Sequence, residues 1–414
     1  MAVSERRRAL LLADFNGANF ASYLAHDAAL PQLGVDVVPL AGDVGRVADQ
    51  AGERTGPWDL AIVWTRPEAV SASFARLVET GEPARAAILS EVDEFAHRLV
   101  RLSDRAARVL AVTWQPPRLS RAFRGLAMKE GTGLANEVMR MNLRLAERVE
   151  AAPGVTLLDS TGWLAGDPTG VDARLWYAAK VPFRNEVFRR AARDVKAVLR
   201  ALDGGSRKLI VVDLDGTLWG GIVGEVGWEG LRLGGHDPIG EAYADFQRAL
   251  KALARRGILL AIASKNDEDV AAAAIERHPE MVLRSADFVA RRINWGDKAD
   301  NIVSLAGELN LGLSSMVFID DSPTERGRVR EALPEVLVPE WPATPMQYVD
   351  ALLDLGCFET VALTDEDRQR SAMYAAEAER ALERREAGSA AEWLRRLELR
   401  VQVEALSARN LPRA

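Results

Sequence analysis

Cysteine is nearly absent: Cys357 is the only one in 414 residues. No disulfide can form within one molecule, a cysteine-based zinc site is excluded, and the chain fits a reducing, cytoplasmic compartment. Histidine is almost as scarce, and His26, His97, His236 and His278 lie scattered without metal-ligand spacing. No apolar run reaches the roughly 18 residues of a membrane-spanning helix. The opening "MAVSERRRALLLADF" has a basic start, but its short apolar run meets Asp14 with no small-residue cleavage site. It reads as a first strand, not a signal peptide. Positive charge is in deficit, with a net charge of -7, which argues against general affinity for nucleic acid or an anionic membrane. Repeats and low-complexity tracts are also lacking. What remains, 48% hydrophobic and 27% charged, is the composition of a globular protein long enough for two or three domains.

Short apolar runs alternate with longer amphipathic stretches. "ALLLADF" (Ala9–Phe15), "GVDVVPL" (Gly34–Leu40), "LAIVW" (Leu60–Trp64), "RVLAVTW" (Arg108–Trp114) and "VTLLDS" (Val155–Ser160) read as buried parallel strands. Ser90–Ala107 and Gly133–Ala151 read as helices between them. A turn-rich hinge, Ala201–Lys208, precedes a second set of strands at Lys208–Asp215, Gly257–Lys265, Ala286–Arg292 (weaker) and Ser314–Asp321. Helices are expected at Pro238–Arg256, Asp267–His278 and Lys298–Leu309. Residues 363–387 read as a charged helix with a Thr/Asp cap, and the final "LRVQVEALSARNLPRA" as a strand and a helix start. The fold class is α/β, with two doubly wound domains.

Two carboxylates one residue apart, Asp213 and Asp215, end the first strand of the second set in "LIVVDLDGTLWGG". Residues i and i+2 of a strand share a face, and open α/β sheets bind ligands at the carboxyl ends of their strands. Carboxylates this close repel unless a cation sits between them, and a hard divalent ion such as Mg2+ meets that need. Asp and Gly are also common in solvated turns, so the pair alone is ambiguous. Three further features share its setting: Ser264 ends the next long apolar strand, Lys298 opens a helix, and Asp320 and Asp321 end another strand. Metal, carboxylate, hydroxyl and ammonium at one point form a phosphate site. Gly216, Thr217, Lys265 and Asn266 adjoin these positions and are the candidate substrate-binding residues. The gaps from Asp213 to Ser264 and from Ser264 to Lys298 have no room for a large lid domain. Trp219–Gly235 can make only a small glycine-rich flap such as a hairpin, so the open site suits a bulky substrate.

In this order, "DLDGT", Ser264, Lys298 and "DD" resemble the four motifs of the haloacid-dehalogenase (HAD) superfamily of phosphotransferases. The resemblance implies a Rossmannoid domain with a Mg2+ cofactor. It implies Asp213 as the nucleophile that forms an aspartyl-phosphate and Asp215 as the general acid/base. Ser264 and Lys298 would hold the phosphoryl group. Asp213, the Asp215 backbone carbonyl and one of Asp320 and Asp321 would hold the metal, with Asp321 favoured for ligation and Asp320 for support. The words "DLDGTLWGGIVGEVG", "ASKND", "FIDDSPTERGRVREALPEV" and "TDEDRQRSAMY" resemble the FkbH-like family. That resemblance covers about 205–410. It implies loading of a glyceryl unit from 1,3-bisphosphoglycerate, a phosphorylated three-carbon substrate, onto an acyl carrier protein for polyketide biosynthesis. Cys357 is then the only candidate acyl shuttle, although its apolar surroundings favour packing. "DARLWYAAKVPF" (Asp172–Phe183) is similar to the N-terminal domain of longer FkbH-like proteins, which is thought to be related to SGNH hydrolases. "LLADFNGANF" has no serine at the nucleophile turn, and no histidine follows Asp172, so that domain is expected to be non-catalytic. These readings divide the chain into 1–200, an SGNH-like domain; 205–345, a HAD-like catalytic domain; and 346–414, an extension that the family pattern would continue. A phosphatase acting on a phosphoprotein or a small phosphoester is the alternative, and a non-catalytic scaffold is a third reading.

Overall fold

The apolar runs become parallel strands in two separate sheets. The structure is a computed structural model, and it describes residues 6–27, 31–39, 57–117, 125–164 and 171–360. The chain divides into two compact units, Met1–Asp203 and Gly204–Ala414.

In the first unit the elements are β1 (Arg7–Ala13), α1 (Ala18–His26), β2 (Leu33–Pro39), β3 (Leu60–Trp64), α2 (Ala72–Thr80), α3 (Arg85–Leu102), β4 (Val109–Val112), α4 (Leu134–Val149), β5 (Val155–Leu158) and α5 (Asn185–Leu202). The strands run parallel in the order β2-β1-β3-β4-β5. Side chains alternate across a strand, so a run that is apolar throughout must be covered on both faces. Leu10 and Leu12 of β1 pack with Val92 and Leu99 of α3 and with Met141 and Leu145 of α4. Ala9, Leu11 and Ala13 pack with Phe20 and Leu24 of α1 and with Phe188 and Val195 of α5. The sheet is therefore doubly wound.

The second unit repeats the plan with β6 (Leu209–Val212), α6 (Pro238–Ala254), β7 (Leu259–Ser264), α7 (Glu268–Arg277), β8 (Ala290–Ile293), α8 (Lys298–Glu308), β9 (Met316–Ile319), α9 (Pro323–Ala332) and α10 (Tyr348–Leu353). Its parallel sheet has the order β8-β7-β6-β9. Ile210 and Val212 of β6 face Phe246 and Leu250 of α6, while Leu209 and Val211 face Ile302 and Leu305 of α8.

Two local expectations change, and a third stretch takes its place in the core. The strand expected over Ala286–Arg292 is confined to Ala290–Ile293, because Ser285–Asp287 closes a 3-10 turn. Asp287 holds that turn by accepting from the Arg284 N–H at 2.8 Å and pairing with Lys251 at 2.9 Å. The stretch Trp219–Gly235 is not a hairpin of two strands. A single bridge, Gly220 to Arg232, closes its base, and short helical turns at Val223–Val226 and Trp228–Gly230 fill it. The segment from residue 346, read as the start of an extension, enters the core. Tyr348 lies 5.1 Å from Trp341 and 5.4 Å from Phe246, centroid to centroid. Cys357 is buried in the same cluster, 2% exposed. The helix expected at 363–387 and the final strand lie outside the described residues. Among the described residues, no helix is long and apolar enough to cross a membrane.

Candidate active site

Winding of the second sheet reverses beside β6, where β7 lies on one side and β9 on the other. Asp213 follows β6, Ser264 ends β7, Lys298 opens α8 after β8, and Asp320 follows β9. All four come to the carboxyl edge of one sheet, where such folds take ligands. The Asp213 N–H donates to the Ile319 carbonyl at 3.0 Å, extending the β6–β9 ladder into the site.

Lys298 stands at the centre, 3% exposed, with Nζ 2.6 Å from Asp320 Oδ2 and 3.0 Å from Asp213 Oδ1. Asp297 caps its helix by accepting from the Ala299 N–H at 2.7 Å. Burial opposes the charge on Lys298, but the carboxylates of Asp213 and Asp320 outweigh it and hold its pKa above the ordinary value. Burial pushes the Asp213 carboxyl up to about 6; Lys298 counters this, Asp320 adds to it, and a hydrogen bond from the Ser264 hydroxyl counters it again. Asp320 is raised by burial against the pull of Lys298, and Asp321, exposed as a residue but with its carboxyl partly desolvated against the site, is raised by that desolvation and then by the charge of Asp213.

Oxygens of Asp213, Asp320 and Asp321 lie within 4.8 Å of one another, a set that could hold a metal ion. Lys298 sets one positive charge against these three carboxylates, so a hard divalent cation fits both the donor type and the charge deficit. The two neighbouring aspartates differ. Asp320 is fully buried and uses both oxygens, Oδ2 on Lys298 and Oδ1 accepting from the Ser322 N–H at 2.8 Å. Asp321 is exposed and meets the Thr217 hydroxyl at 3.4 Å, while its own N–H donates to Thr217 Oγ1 at 3.1 Å.

The Asp215 side chain turns the other way. Its Oδ1 accepts from the Trp219 indole at 2.7 Å and from the Val223 N–H at 3.1 Å, and its Oδ2 accepts from Asn266 Nδ2 at 3.0 Å. Asn266 also donates to Ser264 Oγ at 3.1 Å, so it links the two ends of the site. Lys265 does not join the cluster: it pairs with Glu325 at 2.6 Å.

Gly216 holds the turn just after Asp215 at φ 71°. A Cβ there would collide with the Asp321 carboxylate. We expect Gly216→Ala to lower stability by about 1–3 kcal/mol through the left-handed backbone and this collision, measured as a lower urea midpoint.

Some residues that build the site carry no local signal. The Gly216 carbonyl accepts from Tyr348 at 2.9 Å and from Tyr243 at 3.3 Å. Tyr348 is far away in the chain. Arg326 sits in the first turns of α9 and donates to the Asp320 and Asp321 carbonyls at 2.8 and 2.7 Å, which fixes the turn. Trp219, within the quoted "TLWGG", is fully buried. It is an anchor for Asp215.

Fold and site together are consistent with a HAD-type phosphatase. The chain is similar to the crystal structure of the N-terminal part of the protein BF1531 from Bacteroides fragilis, which contains a phosphatase domain and is complexed with Mg. The likeness has a TM-score of 0.76 at 27% identity and covers 86% of this chain and 95% of that one. No protein-family model matches the sequence, and no curated protein matches it either.

Proposed function

We propose that the protein is a Mg2+-dependent phosphatase of the HAD type that works through an aspartyl-phosphate on Asp213. The observation that carries this reading is the buried Asp213–Lys298–Asp320 array beside the exposed Asp321 carboxylate. Asp213 and Asp321, with the Asp215 carbonyl, would hold Mg2+, which neutralises phosphoryl charge when bound. Asp320 serves by holding Lys298 in place. Asp213 attacks phosphorus as the bond to the leaving oxygen breaks, and Asp215 protonates that oxygen. Asp215 then takes a proton from water, which attacks the same phosphorus and releases inorganic phosphate and free Asp213. Lys298 and the Ser264 hydroxyl offset the charge on the transferring group. Thr217 and the backbone of Gly216 and Asn266 line the phosphate seat. Trp219 and Asn266 hold the Asp215 carboxylate beside the seat, and it would turn from them to reach the leaving oxygen.

We further propose that the substrate is 1,3-bisphosphoglycerate and that its glyceryl group passes to the phosphopantetheine thiol of an acyl carrier protein. The FkbH-like words around Asp213, Ser264 and Asp320/Asp321 support this, as does a site without a large cap. The thiol would displace the acyl phosphate, and the aspartate site would hydrolyse the second phosphate. Cys357 plays no part in this scheme, since its side chain is packed in the core. The test is intact-mass analysis of carrier and enzyme after incubation with bisphosphoglycerate and Mg2+. A glyceryl mass on the carrier supports the reading. Phosphate release that is indifferent to carrier would favour a simple phosphatase.

Metal binding should show in stability. Mg2+ at a hundred times its Kd is expected to add about 2.7 kcal/mol. The raised pKa of the two ligand carboxylates, Asp213 and Asp321, means that protons compete with the ion, so the Mg2+ increment should be full near pH 7.5 and shrink below about pH 6. Without metal the trend for Asp213 is opposite. Its folded pKa exceeds the unfolded value of 3.8, so its contribution to stability is present below 3.8 and is lost as pH rises toward 6. Thermal melts with and without Mg2+ at several pH values would measure both. An increment that does not change with pH would contradict the assigned ligands.

A further inference from the structure

The first unit has its own cavity at the corresponding edge of its sheet. A space of about 40 Å³ opens beyond the carboxyl ends of β1, β3, β4 and β5. The strand order reverses between β1 and β3, which is where open α/β sheets bind ligands. Its walls are Phe15, Trp64, Trp163 and Phe183. They brace one another, with centroids 5.4 Å apart for Trp64–Phe183, 5.0 Å for Trp64–Trp163 and 5.4 Å for Phe15–Trp64. Mutual packing of this kind keeps the space preformed.

The polar side of the cavity is made by Thr65, Arg66, Thr113, Gln115 and Ser160. Ser160 is spoken for: Oγ donates to the Thr113 carbonyl at 2.9 Å and accepts from Gln115 Nε2 at 2.9 Å. No histidine lines the space, so the arrangement suits binding and not serine hydrolysis. Three groups are left over among the described residues. Thr65 Oγ1 accepts from the Trp114 indole at 3.0 Å, but its own hydrogen has no acceptor. Arg66 gives its backbone N–H and Nε to Asp14 at 2.8 and 2.7 Å and its guanidinium stacks on the Trp176 ring at 4.4 Å, which leaves the edge of its two terminal nitrogens to a ligand. The Gln115 side-chain carbonyl has no donor. Asp14 balances the charge of Arg66, so the cavity has donors without a strong field for anions.

We propose that this cavity binds an uncharged amide group. Its C=O would accept from Thr65 and Arg66, its N–H would donate to the Gln115 carbonyl, and its small apolar body would sit between the rings. In volume the space holds roughly three waters, which matches an acetamide-sized group.

The full chain, labelled with 15N-tryptophan, would be titrated with N-methylacetamide and followed by its indole N–H signals. Trp114→Phe and Trp163→Phe each remove one signal and so assign it. The Trp114 indole is the reporter, because it donates to the hydroxyl that would turn to the ligand. A saturable shift at Trp114 and Trp163 is expected, about ten-fold weaker in Arg66→Gln and in Gln115→Leu, with phosphate release unchanged in both. If one variant does not fold by near-UV circular dichroism, the other decides. The proposal is overturned if the folded protein shows no saturable shift, if affinity is unchanged in the folded variants, or if acetate or inorganic phosphate binds more tightly than the amide.

Discussion

Asp213→Asn is expected to abolish phosphate release and, in the same sample, to raise the melting temperature. The first effect follows from losing the only group assigned to form the covalent intermediate. Turnover should fall by about four orders of magnitude or more, as when a nucleophile is deleted from other covalent enzymes. The second follows from electrostatics. Folding holds the Asp213 carboxylate in a buried site beside Asp320, with its pKa pushed up to about 6. Ionised at neutral pH, it works against folding. A neutral amide of the same shape removes that penalty, for a gain of about 2–3 kcal/mol in metal-free protein. Phosphate assays and thermal melts on one preparation check both. Lost activity with lowered stability would point to misfolding in place of a missing nucleophile.

Lys298→Ala should be damaging in both respects. Its ammonium is 2.6 Å from Asp320 and 3.0 Å from Asp213, and all three are buried. Removing it leaves buried carboxylates without their partner, a loss of about 3–5 kcal/mol. Catalysis should fall by about 3 kcal/mol or more of transition-state stabilisation, since the proposed phosphoryl group would lose its closest positive charge. The double variant Lys298→Ala with Asp320→Asn separates the two effects. It should regain much of the stability and none of the activity, because the groups interact directly and their effects do not add. Near-normal turnover by either variant would contradict the role given to Lys298.

Much of this was legible along the chain, for identifiable reasons. Strands covered on both faces must be apolar throughout, so β3 could be read directly from "LAIVW" and β6 from "LIVV". Edge strand β8 was harder, because its middle residues are Arg291 and Arg292 and the turn before it looks like more strand. Most site groups were legible because each is a polar residue that ends an apolar strand run, and Lys298 because it opens a helix just after one. The aromatic cavity of the first unit was not. Phe15, Trp64, Trp163 and Phe183 are far apart in sequence, and each alone looks like an ordinary core residue.

Residue chemistry and order determined the inventory of the site: two aspartates, a serine, a lysine and two further aspartates, each at the end of a parallel strand or the start of a helix. Which of them act together was decided only by the tertiary structure. Packing buries Lys298 between Asp213 and Asp320, leaves Asp321 open, and turns Asp215 toward Trp219 and Asn266. Those differences arise from desolvation and from charge separations of a few ångströms, and both are set by contacts between residues distant in the chain. The hydroxyl of Tyr348 on the Gly216 carbonyl is one such contact, joining a distant helix to the turn that follows the first two aspartates.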